Sequence, residues 1–155
     1  MTQHLDKLPI GTVMHVRGVS SDVTYTPEKL CVPGFYEELE VDNISMIAGG
    51  TGITPCYQII KSALSNPEDK TVINMIYSNT TEEGILLKDE LMKLQKENPQ
   101  RFKLHFTITQ QKDGSGDSSW SRRRIDEKML GEFLEPPTLY DCRNYVLICG
   151  PPGMD

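Results

Sequence analysis

Long apolar runs are missing from this 155-residue chain, and Met1 to Leu8 holds nothing like the apolar stretch of a signal peptide. A membrane-crossing helix takes about 20 such residues, so the sequence offers no transmembrane segment. Metal-ligand spacing is missing as well. Cys31, Cys56, Cys142 and Cys149 never fall into a CxxC pair, and His4, His15 and His105 are scattered. That argues against a zinc site and leaves each thiol as a small buried hydrophobe in a reducing compartment. Basic charge in bulk is also lacking. A formal net charge of −6 argues against nucleic acid as a partner, with Arg122-Arg123-Arg124 as a local exception. What remains is an ordinary globular composition, 25% charged and 37% hydrophobic, in a length suited to one domain.

Two segments carry the chemistry. In Met46-Ile47-Ala48-Gly49-Gly50-Thr51-Gly52-Ile53-Thr54-Pro55 a short apolar run stops at paired glycines, and a helical pattern follows from Pro55. Glycines there let backbone N–H groups approach a ligand that a Cβ would exclude, and a helix N-terminus suits a pyrophosphate. About a hundred residues later, Tyr145-Val146-Leu147-Ile148-Cys149-Gly150-Pro151-Pro152-Gly153-Met154 repeats the move from apolar strand to Gly/Pro turn. Two such strand-to-turn motifs can build two walls of one crevice. Taken singly, either turn is equally well a tight connection with no ligand.

Periodicity supplies the frame. Thr12 to Gly18 alternates as a strand does, and Val19 to Asn43 shows no lasting period and reads as loop. Ile44–Ala48, Thr71–Ser78, Phe102–Thr109 and Asn144–Cys149 read as strands. Helices are expected over Pro55–Leu64, with Cys56, Ile59, Ile60 and Ala63 on one face, and over Asp126–Leu134. A third opens at Thr81-Glu82-Glu83, with a stripe of Ile85, Leu86, Leu91 and Leu94 and a start weakened by Gly84. Lys112 to Ser119 is a loop. Asp113, Asp117, Glu82 and Glu83 read as loop and helix-start charges rather than catalytic carboxylates. Strands alternating with helices predict an α/β fold with a doubly wound parallel sheet.

With both turns placed, the chain resembles the pyridine-nucleotide half of the ferredoxin–NADP reductase superfamily, especially cytochrome b5 reductase and the reductase module of eukaryotic nitrate reductase. The resemblance rests on Ala48–Pro55, Thr81-Glu82 with Ile85-Leu86-Leu87, Arg101-Phe102-Lys103-Leu104, and Cys149-Gly150-Pro151-Pro152. It implies an NAD(P)H-binding domain over residues 44–155, truncated at its C-terminus, preceded over 1–43 by the remnant of a flavin-binding β-barrel and a connecting loop. It further implies NADH or NADPH and FAD as cofactors, hydride passing to FAD, and electrons then passing to a haem protein such as cytochrome b5. Gly49, Gly50, Thr51, Gly52, Thr54, Pro55 and Asn79 would line the nucleotide crevice; Cys149, Gly150, Pro151, Pro152 and Met154 would border the nicotinamide. Thr54 and Cys149 stand at the point of hydride transfer, Cys149 as a positioning residue without a neighbouring base to activate it.

Departures from the family pattern shape the rest. The Arg-x-Tyr-Ser/Thr flavin motif is absent from this sequence, leaving Thr2 as one hydroxyl near the FAD pyrophosphate. A flavin-binding domain is therefore expected upstream or in trans. The alternative is a truncated, non-catalytic nucleotide-binding module that acts only with such a partner. The expected location is cytoplasmic, with peripheral membrane attachment open through segments outside the chain. Thr109 stands where NADH-preferring relatives carry an Asp, so the repulsion of a 2′-phosphate is dropped. Lys112 and Arg122–Arg124 follow. They read either as a solvated basic loop or as a site where one arginine, Arg123 foremost, takes the 2′-phosphate of NADPH.

Overall fold

The computed structural model describes residues 6–15, 23–34, 37–110, 119–134, 143–152 and 154. Three short strands open it: β1 (Thr24–Thr26), β2 (Lys29–Cys31) and β3 (Leu39–Glu40), joined as an antiparallel sheet. The reading of Val19–Asn43 as loop is thus corrected. Strands of two or three residues are too short to show a period, and only Leu30 is fully buried among them. The strand expected over Thr12–Gly18 is not formed at residues 12–15, and its last three residues lie outside the described set. Cys31 is exposed on β2 rather than buried, and Cys142 is not among the described residues.

The main sheet is parallel. Strands β4 (Asn43–Gly49), β5 (Val72–Asn79), β6 (Phe102–Ile108) and β7 (Asn144–Cys149) lie in the order β6-β5-β4-β7. Helix α1 (Ile53–Ser65) follows β4 after a 3-10 turn at Gly50–Gly52, and α2 (Lys88–Glu97) follows β5. Helix α3 (Glu127–Phe133) leads towards β7. One face of the sheet, with Ile44, Met46, Ala48, Ile73, Met75 and Phe106, packs against the buried stripe of α1 and Leu91 of α2. The α1 stripe is the expected Cys56, Ile59, Ile60 and Ala63, extended by Ile53. Burying each such isoleucine contributes about 1.5–3 kcal/mol, which fixes α1 on the sheet. Residues of opposite parity, Ile47 and Ile76, point to the other face, where α3 packs along β5. Helices on both faces make the sheet doubly wound, as the alternation of elements predicts.

Helix α2 starts later than expected. Thr81–Leu87 forms turns, and Leu87 itself takes a left-handed conformation at φ 57°. Of the supposed stripe, Ile85 and Leu91 are buried but Leu86 is 45% exposed. The small sheet is held to the parallel sheet by polar groups. The Tyr25 hydroxyl donates to Asp69 Oδ2 at 2.6 Å and lies 2.8 Å from Thr71 Oγ1. Arg101 donates to the carbonyls of Ala63 (2.7 Å) and Asn66 (3.1 Å), closing the free end of α1 beside the same Asp69. Burial, with the Asp69 bond next, pushes the Tyr25 phenol up to about 12.

Candidate functional site

The chain turns back on itself between β4 and β7. From β4 the connections through α1 and α2 run outward to β5 and β6, and the connection through α3 returns to β7 on the far side. At such a switch point the loops beyond the strand ends part, and a crevice opens at the carboxyl edge. Here it has a volume of about 680 Å³. Its walls are the ends of β4 (Ile47, Gly49, Gly50) and β5 (Ser78, Asn79, Thr80), Thr109 after β6, and Ile148, Pro151, Pro152 and Met154 at β7. Arg124, Ile125, Asp126, Glu127 and Leu130 close it from the α3 side.

The glycines of the two turns have different tasks. A Cβ on Gly52 would fall on the carbonyl of Cys149, so this glycine allows the first turn to pack backbone-to-backbone against the second. Gly50 has φ +52° and open space where its side chain would be, which leaves its edge free towards the crevice. The Met154 thioether lies over Gly49 and Gly150, across the seam between the turns. The expectation that glycines in this motif serve ligand approach is therefore supported by open space only at Gly50. The turn is pinned from beneath by Tyr77, which is fully buried and donates its hydroxyl to the Gly50 carbonyl at 2.8 Å. Burial raises the Tyr77 phenol, with the nearby Asn79 amide offsetting part of that rise.

Asn79 is the informative polar group. It is 7% exposed and lines the crevice, and its Nδ2 lies near the Tyr77 hydroxyl but short of hydrogen-bonding geometry. A buried amide left unpaired costs roughly 1–3 kcal/mol, so it points to a ligand acceptor at that place. No side chain caps the start of α1. Gly52 is its N-cap, and Pro55 occupies the first turn, where a missing N–H carries no penalty.

Of the residues expected here, Gly49, Gly50, Asn79, Thr109, Pro151, Pro152 and Met154 meet in the crevice wall. Thr51, Gly52, Thr54, Pro55, Cys149 and Gly150 lie in the two turns but not in that wall. Thr54 is exposed, and its hydroxyl donates to Thr51 O at 3.2 Å. Cys149 is half-buried beside the fully packed Cys56, whose thiol burial pushes up to about 12, keeping it protonated. Arg123 is turned away. Its guanidinium pairs with Asp126 (3.5 Å) and Glu132 (3.9 Å), and Arg124 takes the place in the wall. Thr2 and Lys112 lie outside the described residues. Ser78 and Thr80 were missed, although their position at the carboxyl end of a central parallel strand was a usable signal. Leu130 was legible only as a position in the expected helix, and Ile125 had no signal, because the segment before α3 is irregular. It is fastened to the sheet by the Thr107–Ser121 bridge and by the Thr107 hydroxyl donating to the Arg123 carbonyl.

A four-stranded parallel sheet wound on both faces, with its crevice at the switch point and a glycine turn leading into a helix, is the architecture of a nucleotide-binding α/β domain. Residues 46–155 match the family described as the oxidoreductase NAD-binding domain, and the chain belongs to that family. It is 38% identical over 99% of its length to NADH-cytochrome b5 reductase 1 of Debaryomyces hansenii, covering 48% of that protein. The NADH nitrate reductase of Volvox carteri is also 38% identical over 99% of the chain, which covers 17% of it. Among solved structures, the cytochrome b5 reductase domain of Ulva prolifera nitrate reductase superposes with a TM-score of 0.86 at 38% identity, over 99% of this chain and 56% of that one. The chain thus spans about half the length of the b5 reductase relative, and its small antiparallel sheet fits the remnant of a flavin-binding barrel. No helix among the described residues is long and apolar enough to cross a membrane.

Proposed function

We propose that this chain is the NAD(P)H-binding part of a flavin-dependent oxidoreductase of the cytochrome b5 reductase and nitrate reductase type. The observation that carries the reading is the crevice bounded by the two glycine turns, open at Gly50 and with the buried Asn79, whose Nδ2 lacks a hydrogen bond of good geometry, in its wall. When bound, the dinucleotide supplies a hydride for FAD, held by a flavin-binding domain upstream or in trans, and a haem protein receives the electrons. The residues of this chain bind and orient. The open edge of Gly50, at the entry to the uncapped helix α1, receives the pyrophosphate, and Asn79 Nδ2 donates to the ligand from the floor. Ile47, Ile148, Pro151, Pro152 and Met154 make an apolar wall that excludes water from one side. Thr54 and Cys149, on the reverse of the same turns, set the spacing of the nicotinamide from its acceptor, and the close packing of Gly52 on Cys149 holds that spacing rigid.

The flavin enters this reading as the hydride acceptor alone. Nucleotide binding can be measured without it. NADH binding to the chain, followed by equilibrium dialysis, should weaken by about ten-fold in Asn79→Ala, the size expected for one buried hydrogen bond. An Asn79→Ala chain that binds NADH as well as the parent would remove the central support for this assignment.

A further inference from the structure

The α3 side of the crevice presents one cation that the rest of the site does not employ. Arg124 lines the wall, is exposed, and takes part in no ion pair among the described residues. Its neighbour Arg123 differs, being committed to Asp126 and Glu132. Two carboxylates share the wall with Arg124. Asp126 is occupied, since its Oδ1 accepts from the Met129 N–H at 2.8 Å and its Oδ2 faces Arg123. Glu127 is exposed at the lip and screened by water. Across from them stands Thr109, whose N–H donates to the Asn79 carbonyl at 3.0 Å and which brings a hydroxyl but no negative charge to the end of β6.

We propose that Arg124 is the specificity residue for a phosphate on the adenosine ribose, so that the crevice takes NADPH in preference to NADH. This rests on the dinucleotide reading above and goes beyond the two relatives named there, each named for NADH, although a relative from Hordeum vulgare, 35% identical, is named for NAD(P)H. A guanidinium presents parallel N–H donors that match two phosphate oxygens at once, a fit that a ribose hydroxyl cannot supply. In an open α/β sheet, a carboxylate near the ribose selects the hydroxyl form and an arginine accommodates the phosphate form. The wall here holds the arginine, and one of its two carboxylates, Asp126, is already paired.

The test is a calorimetric titration of the whole chain with 5′-AMP and with 2′,5′-ADP, which differ only in that phosphate. The 2′,5′-ADP should bind about ten-fold tighter or better, in line with a hydrogen bond to a charged group. Arg124→Ala should abolish most of that advantage with little effect on 5′-AMP, and Arg124→Lys should keep part of it. Lys128→Ala, which removes the same charge from an exposed position on α3, should keep all of it. Equal affinities in the parent chain, or an advantage that survives Arg124→Ala, overturns the proposal and leaves the dinucleotide crevice standing. If 5′-AMP, 2′,5′-ADP and NADH all fail to bind, the proposed function falls and this inference with it.

Discussion

The two faces of the parallel sheet are built to different standards. The face under α1 and α2 is dry and continuous: Ile44, Met46, Ile60, Ile73, Phe102 and Leu91 expose 0% of their surface. The face under α3 is broken. It holds the unpartnered amide of Asn74, it is covered only in part, and at β7 it leaves Val146 and Ile148 about half exposed (49% and 50%). Apolar burial at about 25 cal/mol per Å² accumulates on the first face, so that face carries the stability. The second face tolerates unpaired polar groups and an open crevice because the first supports it. Binding chemistry collects where packing is incomplete.

That contrast can be broken by substitution. The largest effect is expected from Ile60→Ala on the packed face, a loss of about 2–5 kcal/mol in denaturant unfolding, against about 0.5 kcal/mol for Ile148→Ala on the open one. Equal losses would erase the distinction. Next comes Gly52→Ala, whose new methyl meets the Cys149 backbone; overpacking of this kind costs about 1–3 kcal/mol and should part the two turns, seen as lost NADH affinity together with a lower Tm. Tyr77→Phe should be milder. It leaves the Gly50 carbonyl without its donor, costs roughly 1 kcal/mol, and weakens NADH binding because the turn is no longer pinned.

The smallest effect is on pH dependence. Burial, ahead of the opposing pull of Glu132 and the added push of Arg123, holds the His105 imidazole below its usual pKa of about 6.5. The ring stacks on Phe133 at a centroid distance of 3.5 Å, and its Nε2 lies 2.8 Å from Ser121 Oγ, so it fastens α3 to β6. A depressed folded-state pKa means this stability is present above about pH 6.5 and is lost as pH falls through the folded value. A Tm profile from pH 7 to 5 should therefore decline, and His105→Gln should flatten that limb. An unchanged slope in His105→Gln would assign the decline to other groups.

The same contrast explains what could be read from sequence. Strands β4 and β5 and helix α1 were legible almost to the residue because each buries a continuous run or a clean helical stripe, and burial is what hydrophobic periodicity records; β6 and β7 were legible from their apolar runs although β7 stays partly exposed. The small sheet was not, since β1 to β3 are too short to establish a period. The start of α2 was misplaced because Leu86 and Leu87 look like core leucines while the backbone turns through a left-handed residue. On the site, the two glycine turns were visible as motifs, and Asn79 came only with the resemblance. The exchange of Arg123 for Arg124 was not. Three consecutive arginines carry no periodic signal, and which one enters the crevice is decided by the Asp126 and Glu132 carboxylates that hold Arg123.

Hydrogen–deuterium exchange of the chain with and without NADH tests the division between the packed face and the crevice most directly. NADH should slow exchange at residues 49–52, 78–80 and 124–127, around the crevice, and leave the carboxyl-terminal half of α1 and all of α2 unchanged. Protection concentrated on α1 and α2, or bound NADH with no change at those three segments, would contradict the account.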